Sequence, residues 1–216
     1  MQRLGNVFST NKIYFVGYII ILVLGLLPQL VLDKNELFLK INNLNSSGLD
    51  SFFYWITYLG DGLVFVALIL LVSFLSFTKA MLGLATFLGT GLIAQVLKQV
   101  FFSESYRPFK VIGEQGTLHI PPGVTPLINN SFPSGHTVTV FAMATFIILV
   151  YSLRKSSLLI LIVAMLVAYS RIYLTHHFPA DVWAGSIIGV SGAVLIYSFL
   201  EPILDRRLGG KSLLIK

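Results

Sequence analysis

Six long stretches of this 216-residue chain carry no charged side chain, and no other feature limits the available folds so strongly. A helix that crosses the hydrocarbon core of a bilayer needs about 20 apolar residues. The stretches do not alternate apolar and polar residues, as the strands of an outer-membrane barrel do. The sequence therefore predicts an all-α, six-helix transmembrane bundle, with spans at about 13–32, 62–78, 80–97, 137–153, 156–175 and 182–200.

The composition excludes most other classes of protein. Charged residues make up 11% of the chain, whereas a soluble domain has about 25%. Hydrophobic residues make up 56%, which is too many for a disordered chain. The chain has no cysteine, so disulfide scaffolds and thiolate chemistry are excluded. The net charge is +6, but the basic residues form no stripe on a polar domain, so we expect no nucleic-acid partner.

The distribution of Lys and Arg predicts the orientation, because these residues are enriched in cytoplasmic loops. With both termini inside, nine of the 15 basic residues lie on the inner side. They are Arg3, Lys12, Lys79, Arg154, Lys155, Arg206, Arg207, Lys211 and Lys216. The first span is too long for the apolar part of a signal peptide, so we interpret it as a retained helix. We expect a single domain over 1–216, with outer loops at 33–61 and 98–136.

Polar residues gather in three clusters at helix ends, and this topology puts all three on the outer face. The clusters are Lys98–Pro108, Ser131–His136 and Ser170–Asp181. Each alone has an ordinary explanation, such as an arginine reaching the headgroups, a helix cap or a hydrogen-bonded histidine. Their convergence on one boundary instead favours a functional site, because polar groups near the membrane core are costly.

The composition of these clusters predicts a pocket for a phosphate group. Lys98, Arg107 and Arg171 supply fixed positive charge, and arginine can contact two phosphate oxygens at once. Ser134 and Gly135 lie where the fourth helix begins, and the N-terminus of a helix favours an anion. Glycine also lets the backbone approach a ligand closely.

Two histidines and a carboxylate accompany the predicted phosphate pocket. His177 lies four residues before Asp181, which can orient an imidazole and stabilise its cation. His136 follows Gly135 directly and can act as a proton donor, so a two-step phosphoryl transfer is chemically feasible. We expect no metal and no other cofactor, because no cluster has the carboxylates of a magnesium site.

Two other groups of residues receive simpler interpretations. His119 lies in the long outer loop without comparable neighbours, so it is predicted to be an ordinary surface residue. The role of His176 is left open. Gly185, Gly189 and Gly192 recur at one-turn spacing in the last helix, which is typical of close helix packing.

These residues resemble the three-part signature of the type 2 phosphatidic acid phosphatase family. The second part, Pro-Ser-Gly-His, is intact at 133–136. The third, Ser-Arg-x5-His-x3-Asp, matches at Ser170, Arg171, His177 and Asp181. The resemblance covers residues 60–200 in spacing and hydropathy.

The first part of the signature departs from the family pattern. The family has Lys-x6-Arg-Pro, whereas here eight residues separate Lys98 from Arg107, and Val100 stands where the family places its lysine. On one continuous helix this spacing would put the two side chains on opposite faces. Either the helix ends before Arg107 and the loop absorbs two residues, or Lys98 does not reach the phosphate. Ser103-Glu104-Ser105 is typical of a helix exit and favours the first alternative.

The resemblance implies a role for each matching residue. His177 would be the nucleophile that forms a phosphohistidine, Asp181 would orient it, and His136 would protonate the leaving group and later assist water. The remaining matches would bind the phosphoryl oxygens; they are Lys98, Arg107, Ser134, Gly135 and Arg171.

The resemblance also implies a metal-independent lipid phosphatase in a bacterial inner or plasma membrane, with its site on the outer or periplasmic side. Its expected partner is a membrane lipid phosphate in the bilayer. Undecaprenyl pyrophosphate is the leading substrate, and lipid A, phosphatidylglycerophosphate and phosphatidate are the alternatives. Two other functions stay open, a phosphotransferase and a non-catalytic lipid or anion transporter.

Overall fold

The structure is a computed structural model that describes residues 2–113 and 118–208. The described residues form helices and contain no strand, as the sequence predicts. Ten helices follow one another in these residues: α1 (Gln2–Thr10), α2 (Lys12–Val31), α3 (Lys34–Asn42), α4 (Ser47–Ile56), α5 (Gly62–Leu75), α6 (Phe77–Val96), α7 (Pro108–Ile112), α8 (Gly135–Tyr151), α9 (Ser157–Tyr173) and α10 (Pro179–Leu208). A 3₁₀ turn (Thr57–Gly60) follows α4, and a π-helical turn (Leu97–Phe101) extends α6.

Helices α8 and α10 lie at the centre of the molecule. One apolar core joins α8 and α10 to α2 and α9, with Phe141 and Leu161 among its members. A second core joins the same pair to α5 and α6 around Phe65 and Phe146. A helix that is apolar on all sides is stable only when it is surrounded, and α8 accordingly buries ten of its 17 residues.

Glycines in α10 allow its backbone to approach α8 and α6, as their spacing predicts. A Cβ atom added to Gly189 would lie 2.6 Å from the carbonyl oxygen of Val138, and one added to Gly185 would lie 2.9 Å from that of Ser134. At Gly192 the nearest atom is the Thr90 Cγ2, at 2.6 Å. This packing brings the first residues of α8 and α10 together.

The lengths and hydropathies of the helices can be compared with the six predicted membrane spans. By length and hydropathy, α2, α6 with its π turn, and α10 can each cross a membrane. The segment Ser47–Gly60 and α5 give a fourth candidate, bent by 51°. Helices α8 and α9 are apolar but have only 17 residues each. The count of six spans and the N-in/C-in orientation stay predictions, and Lys211 and Lys216 lie outside the described residues.

The segment 33–61, expected as an outer loop, is in fact mostly helical. The side chains of Asp33 and Ser46 cap α3 and α4 by accepting hydrogen bonds from the N–H groups of Asn35 and Leu49. Helix α4 packs Phe53 against Tyr173 of α9, with ring centroids 4.6 Å apart. These helices cover the C-terminal end of α9 and contribute residues to the site.

Candidate active site

Hydrogen bonds connect the three polar clusters at one end of the bundle. The N–H of Ser134 donates to the carbonyl of Asp181 at 3.0 Å, which joins the starts of α8 and α10. The Nη1 of Arg107 donates to the carbonyl of His176 at 3.0 Å. The structure therefore brings together the neighbourhoods of Arg107, Ser134 and His177, which lie far apart in sequence.

His177 lies in the short turn between α9 and α10, and its side chain is almost fully buried. Its N–H donates to the carbonyl of Arg171 at 3.0 Å, which folds the turn back onto the end of α9. Its Nδ1 lies 3.5 Å from the Oδ2 of Asp181, and its Nε2 lies 3.4 Å from the Nη1 of Arg107. The imidazole is thus held between a carboxylate and a guanidinium.

Two other donors hold the Asp181 carboxylate in place. Its Oδ2 accepts hydrogen bonds from the Oγ of Ser131 at 2.5 Å and from the N–H of Phe178 at 3.0 Å. The Nδ1 of His177 approaches the same oxygen but makes no hydrogen bond within the described residues. Asp181 therefore acts on His177 mainly through its charge in this geometry. Ser131 has no place in the family signature, and its contact could not be predicted from spacing.

The environment of His177 favours a neutral imidazole. Burial holds the pKa of His177 well below its usual value of about 6.5, and the positive charges of Arg107 and Arg171 lower it further. A neutral ring with its proton on Nδ1, toward Asp181, leaves the lone pair of Nε2 facing Arg107. That nitrogen is therefore available as a nucleophile at neutral pH.

Arg107 organises the loop before α8 as well as facing His177. Its Nε donates to the carbonyl of Asn129 at 2.7 Å, and its Nη2 donates to that of Asn130 at 3.2 Å. With the bond to His176, three backbone carbonyls hold the guanidinium. This fixed position suits a group that must meet a phosphate without rearranging.

Arg171 reaches the same region from the end of α9, where it is buried. Its Nη1 donates to the Oγ1 of Thr57 at 2.7 Å. Its Nε is buried and has no partner within the described residues. An unpartnered buried donor is costly, and an anionic ligand would satisfy it. Thr57 lies in the segment expected as a loop, so no sequence pattern indicates this contact.

The helix that carries Lys98 ends before Arg107, as the helix-exit pattern predicts. The π turn closes with a hydrogen bond from the N–H of Phe102 to the carbonyl of Leu97 at 2.9 Å, after which an irregular segment leads to Arg107. Lys98 is half-buried and interacts electrostatically with Arg107, Arg171 and Asp181, whereas Val100 is 68% exposed. Contact between Lys98 and a phosphate stays a prediction.

The first turn of α8 lies beside a small cavity of about 230 Å³. The charged and titratable side chains along it are those of Tyr54, Tyr58, Asp61, His136, Arg171 and His176. The N–H of Ser134 is already bonded to Asp181, so Ser134 has only its hydroxyl left to offer a ligand. An added Cβ at Gly135 would meet no atom within 4 Å, so packing does not require glycine there.

The structure gives neighbours to the two other histidines, one predicted to be an ordinary surface residue and one left without a role. The prediction that His119 is an ordinary surface residue is wrong, because its Nε2 lies 2.8 Å from the Oδ1 of Asp50 and its ring contacts Tyr173. His176 borders the cavity, and its buried Nδ1 has no partner in the described part of the chain. Burial, then the charge of Arg171, lowers the pKa of His176 to about 2, so this ring is neutral.

Comparison with known proteins connects this geometry to a family. A sequence profile described as the PAP2 superfamily matches residues 78–204, which include every predicted site residue. The chain belongs to the PAP2 superfamily. With its apolar helices, it is a multi-pass membrane protein of this superfamily, and several relatives are named as lipid phosphatases.

Relatives of this PAP2 protein carry different functional names. Undecaprenyl-diphosphatase BcrC of Bacillus subtilis is 28% identical over 176 residues, which cover 79% of this chain and 87% of the relative. The bacitracin transport permease protein BcrC of Bacillus licheniformis is 32% identical over 52% of this chain and 56% of its own length. The lipid A 4'-phosphatase of Bacteroides thetaiotaomicron is 40% identical over 35% of this chain and 33% of its own length. The chain thus spans only about half and one third of the latter two.

A solved PAP2-like structure shares the fold. The crystal structure of Aquifex aeolicus LpxE superposes with a TM-score of 0.67 at 29% sequence identity. The superposition covers 76% of this chain and 94% of LpxE. The overall helical arrangement is therefore similar in the two proteins.

Proposed function

We propose that this PAP2 protein hydrolyses a lipid phosphate or pyrophosphate through a phosphohistidine formed on His177. The observation that carries the proposal is the position of the buried imidazole, with Nδ1 3.5 Å from Asp181 and Nε2 3.4 Å from Arg107. A carboxylate behind a nucleophile and a phosphate-binding cation in front of it are what a phosphoryl transfer requires.

In the first step, the lone pair of His177 Nε2 attacks phosphorus while the bond to the leaving oxygen breaks. The positive charge that develops on the imidazole is stabilised by Asp181. The negative charge of the bound substrate favours the protonated form of His136, at the edge of the cavity. This cation donates its proton to the leaving oxygen, which departs as an alcohol or as a phosphate monoester. Lys98, Arg107 and Arg171 neutralise the charge on the phosphoryl oxygens.

In the second step, a water molecule gives a proton to His136 and attacks the phosphohistidine. The bond between nitrogen and phosphorus breaks, inorganic phosphate leaves, and His177 is neutral again. The proposed reaction uses no metal, since three cationic side chains supply the positive charge that magnesium provides in kinases.

Undecaprenyl pyrophosphate is the leading proposed substrate, at the outer leaflet. The name and 79% coverage of the Bacillus subtilis relative support it, and so does a site at helix ends, where a headgroup can enter while the chain stays in lipid. Lipid A, phosphatidylglycerophosphate and phosphatidate are alternatives. The name of the Bacillus licheniformis relative favours a second candidate function, transport without turnover. A phosphotransferase would share the first step with the hydrolase.

The decisive experiment measures phosphate release by the purified protein in detergent with excess EDTA, using these four lipids as substrates. We expect EDTA-resistant release that His177→Ala abolishes. Release that stops with EDTA would contradict the metal-free proposal. Lipid binding that survives in His177→Ala, with no release by either protein, would identify a transporter. Phosphate retained on the wild-type protein until an acceptor is added would identify a phosphotransferase.

Arg171 and Lys98 are predicted to differ in their contributions. Arg171→Ala should lower kcat/KM about 10²- to 10³-fold, because it removes a fixed, buried charge from the transition state. Lys98→Ala should lower it only about tenfold, because this half-buried ammonium lies on a flexible stem. Steady-state kinetics with the best substrate test this, with melting temperatures as a control for folding. An equal loss in both variants would mean that the altered spacing of the first motif is harmless.

Alanine variants at two glycines should distinguish an effect on catalysis from an effect on packing. Gly135→Ala should leave the melting temperature unchanged, because its methyl group meets no protein atom within 4 Å, yet lower kcat/KM about tenfold by occupying space for the phosphate. Gly189→Ala should destabilise the fold by about 1–3 kcal/mol, because its methyl group would lie 2.6 Å from a backbone oxygen. Wild-type kcat/KM in Gly135→Ala would show that this glycine does not face the substrate.

A further inference from the structure

Asn42, the last residue of α3, uses its whole side-chain amide to connect two distant segments. Its Oδ1 accepts a hydrogen bond from the N–H of His119 at 2.9 Å, and its Nδ2 donates to the carbonyl of His119 at 2.9 Å. The second Nδ2 hydrogen can point to the Oγ1 of Thr175, at 3.3 Å. The side chain is 1% exposed. A buried amide with both ends bonded has only one orientation that satisfies its partners.

Thr175 has a backbone conformation that needs support. Its φ is +62°, in the left-handed region, where a β-branched residue is strained. Its Oγ1 also donates to the carbonyl of His119 at 3.1 Å, and the residue is 1% exposed. Strain of about 1–3 kcal/mol persists only where the surroundings enforce it. Here the enforcing groups are Asn42 and His119.

The left-handed turn at Thr175 determines where the next two residues lie. Directly after it, the N–H groups of His176 and His177 both donate to the carbonyl of Arg171, each at 3.0 Å. A relaxed turn at Thr175 would move the His177 ring relative to Asp181 and Arg107. The backbone conformation of Thr175 therefore determines the position and orientation of the His177 imidazole.

The geometry points to Asn42 as a positioning residue for the reaction at His177. We call Asn42, His119 and Thr175 the Asn42 clamp: it joins α3, the segment before α8 and the turn of His177. The inference rests on the proposed function and adds to it a residue outside the 78–204 segment that matches the family profile.

A second set of contacts holds His119 in the clamp from the other side. Asp50 of α4 lies 2.8 Å from the Nε2 of His119 and accepts a hydrogen bond from the hydroxyl of Tyr173 at 2.5 Å. Tyr173 is two residues before Thr175 and is 1% exposed. The helices of segment 33–61 therefore act on the site through two partly buried contacts, one to the backbone of His119 and one to its ring.

The first test is Asn42→Asp, which keeps the size of the side chain but replaces the amide donor by an acceptor that faces the carbonyl of His119. We expect kcat to fall about 10- to 100-fold, as for a small misplacement of a reacting group, with KM unchanged. The matched control is Asn43→Ala, at an exposed neighbouring position of the same helix end. Wild-type kcat in Asn42→Asp, or a lower melting temperature with unchanged kcat, would overturn the inference.

Combining Asn42→Asp with Thr175→Gly distinguishes a positioning role of Asn42 from a purely structural one. Glycine adopts a positive φ without strain, so Asn42→Asp should lose less kcat in the Thr175→Gly background than in the wild type. Equal losses in both backgrounds would overturn the inference. If Asn42→Asp does not fold, Thr175→Val serves as the second variant, because it replaces the hydroxyl of Thr175 by a methyl group. This variant should also have a lower kcat than the wild type, and wild-type kcat would overturn the inference.

Failure of the proposed function can be told apart from failure of this inference. If the wild-type protein releases no phosphate from any lipid, the proposed function fails. The clamp can then still be tested by binding of inorganic vanadate, a mimic of the phosphoryl-transfer transition state. Vanadate should bind Asn42→Asp more weakly by about the factor expected for kcat, and equal affinity would overturn the inference. If the wild-type protein is active and Asn42→Asp is equally active, only the inference fails.

Discussion

Replacing His177 by Gln should abolish turnover, with kcat falling by about four orders of magnitude or more. Removing a nucleophile has effects of this size, because binding and charge stabilisation alone give only residual catalysis. Glutamine keeps a polar side chain of similar size but has no basic nitrogen to attack phosphorus. The buried neutral ring, with Nε2 3.4 Å from Arg107, is the reason that we assign attack to this residue.

The measurement that checks this assignment is phosphate bound to the protein. After rapid mixing of labelled lipid with enzyme and an alkaline quench, which preserves phosphohistidine, the wild-type protein should carry label and His177→Gln should not. His176→Gln is the matched control, since this ring is adjacent, neutral and beside the cavity. Label in His177→Gln but not in His176→Gln would reverse the assignment.

Replacing His136 by Gln should give the second largest effect, a loss in kcat of about 10²- to 10⁴-fold with lipid substrates, which is the usual contribution of a general acid or base. Its position at the start of α8, lining the same cavity as Arg171, suits a group that exchanges a proton with the leaving oxygen. The loss should depend on the leaving group, because a poor one needs the proton and a good one does not.

p-Nitrophenyl phosphate makes that dependence measurable. Its leaving group departs without a proton, so the first step should be nearly normal in His136→Gln. The second step still lacks its base, so the variant should show a burst of nitrophenolate followed by slow turnover. The same loss for both substrates, with no burst, would indicate that His136 only shapes the pocket. Asn43→Ala serves here too as a control away from the site.

The N-terminal third of the chain takes a larger part in this site than the family match suggests. The profile begins at residue 78, yet Thr57 bonds Arg171 and Asn42 bonds the segment around Thr175. Residues before the matching segment therefore contact a predicted site residue, Arg171, and the turn that carries His177.

The sequence by itself determined those features that depend on neighbours along the chain. Six charge-free stretches predicted an all-helical membrane protein. The four-residue interval between His177 and Asp181 predicted that the two groups meet, and they lie 3.5 Å apart. The glycines of α10 predicted close packing, because periodicity and short spacings are encoded locally. The same local reasoning placed the end of the Lys98 helix before Arg107.

Only the tertiary structure decided how distant segments combine. Asn42 and His119 are 77 positions apart, and Thr57 and Arg171 are 114 apart. A polar residue in an irregular segment looks the same in sequence whether it faces water or a buried partner. The prediction that His119 is a surface residue is therefore wrong, and no local pattern predicts that the segment 33–61 forms helices. A hydrogen bond between remote residues leaves no periodic pattern, because the fold alone brings its donor and acceptor together.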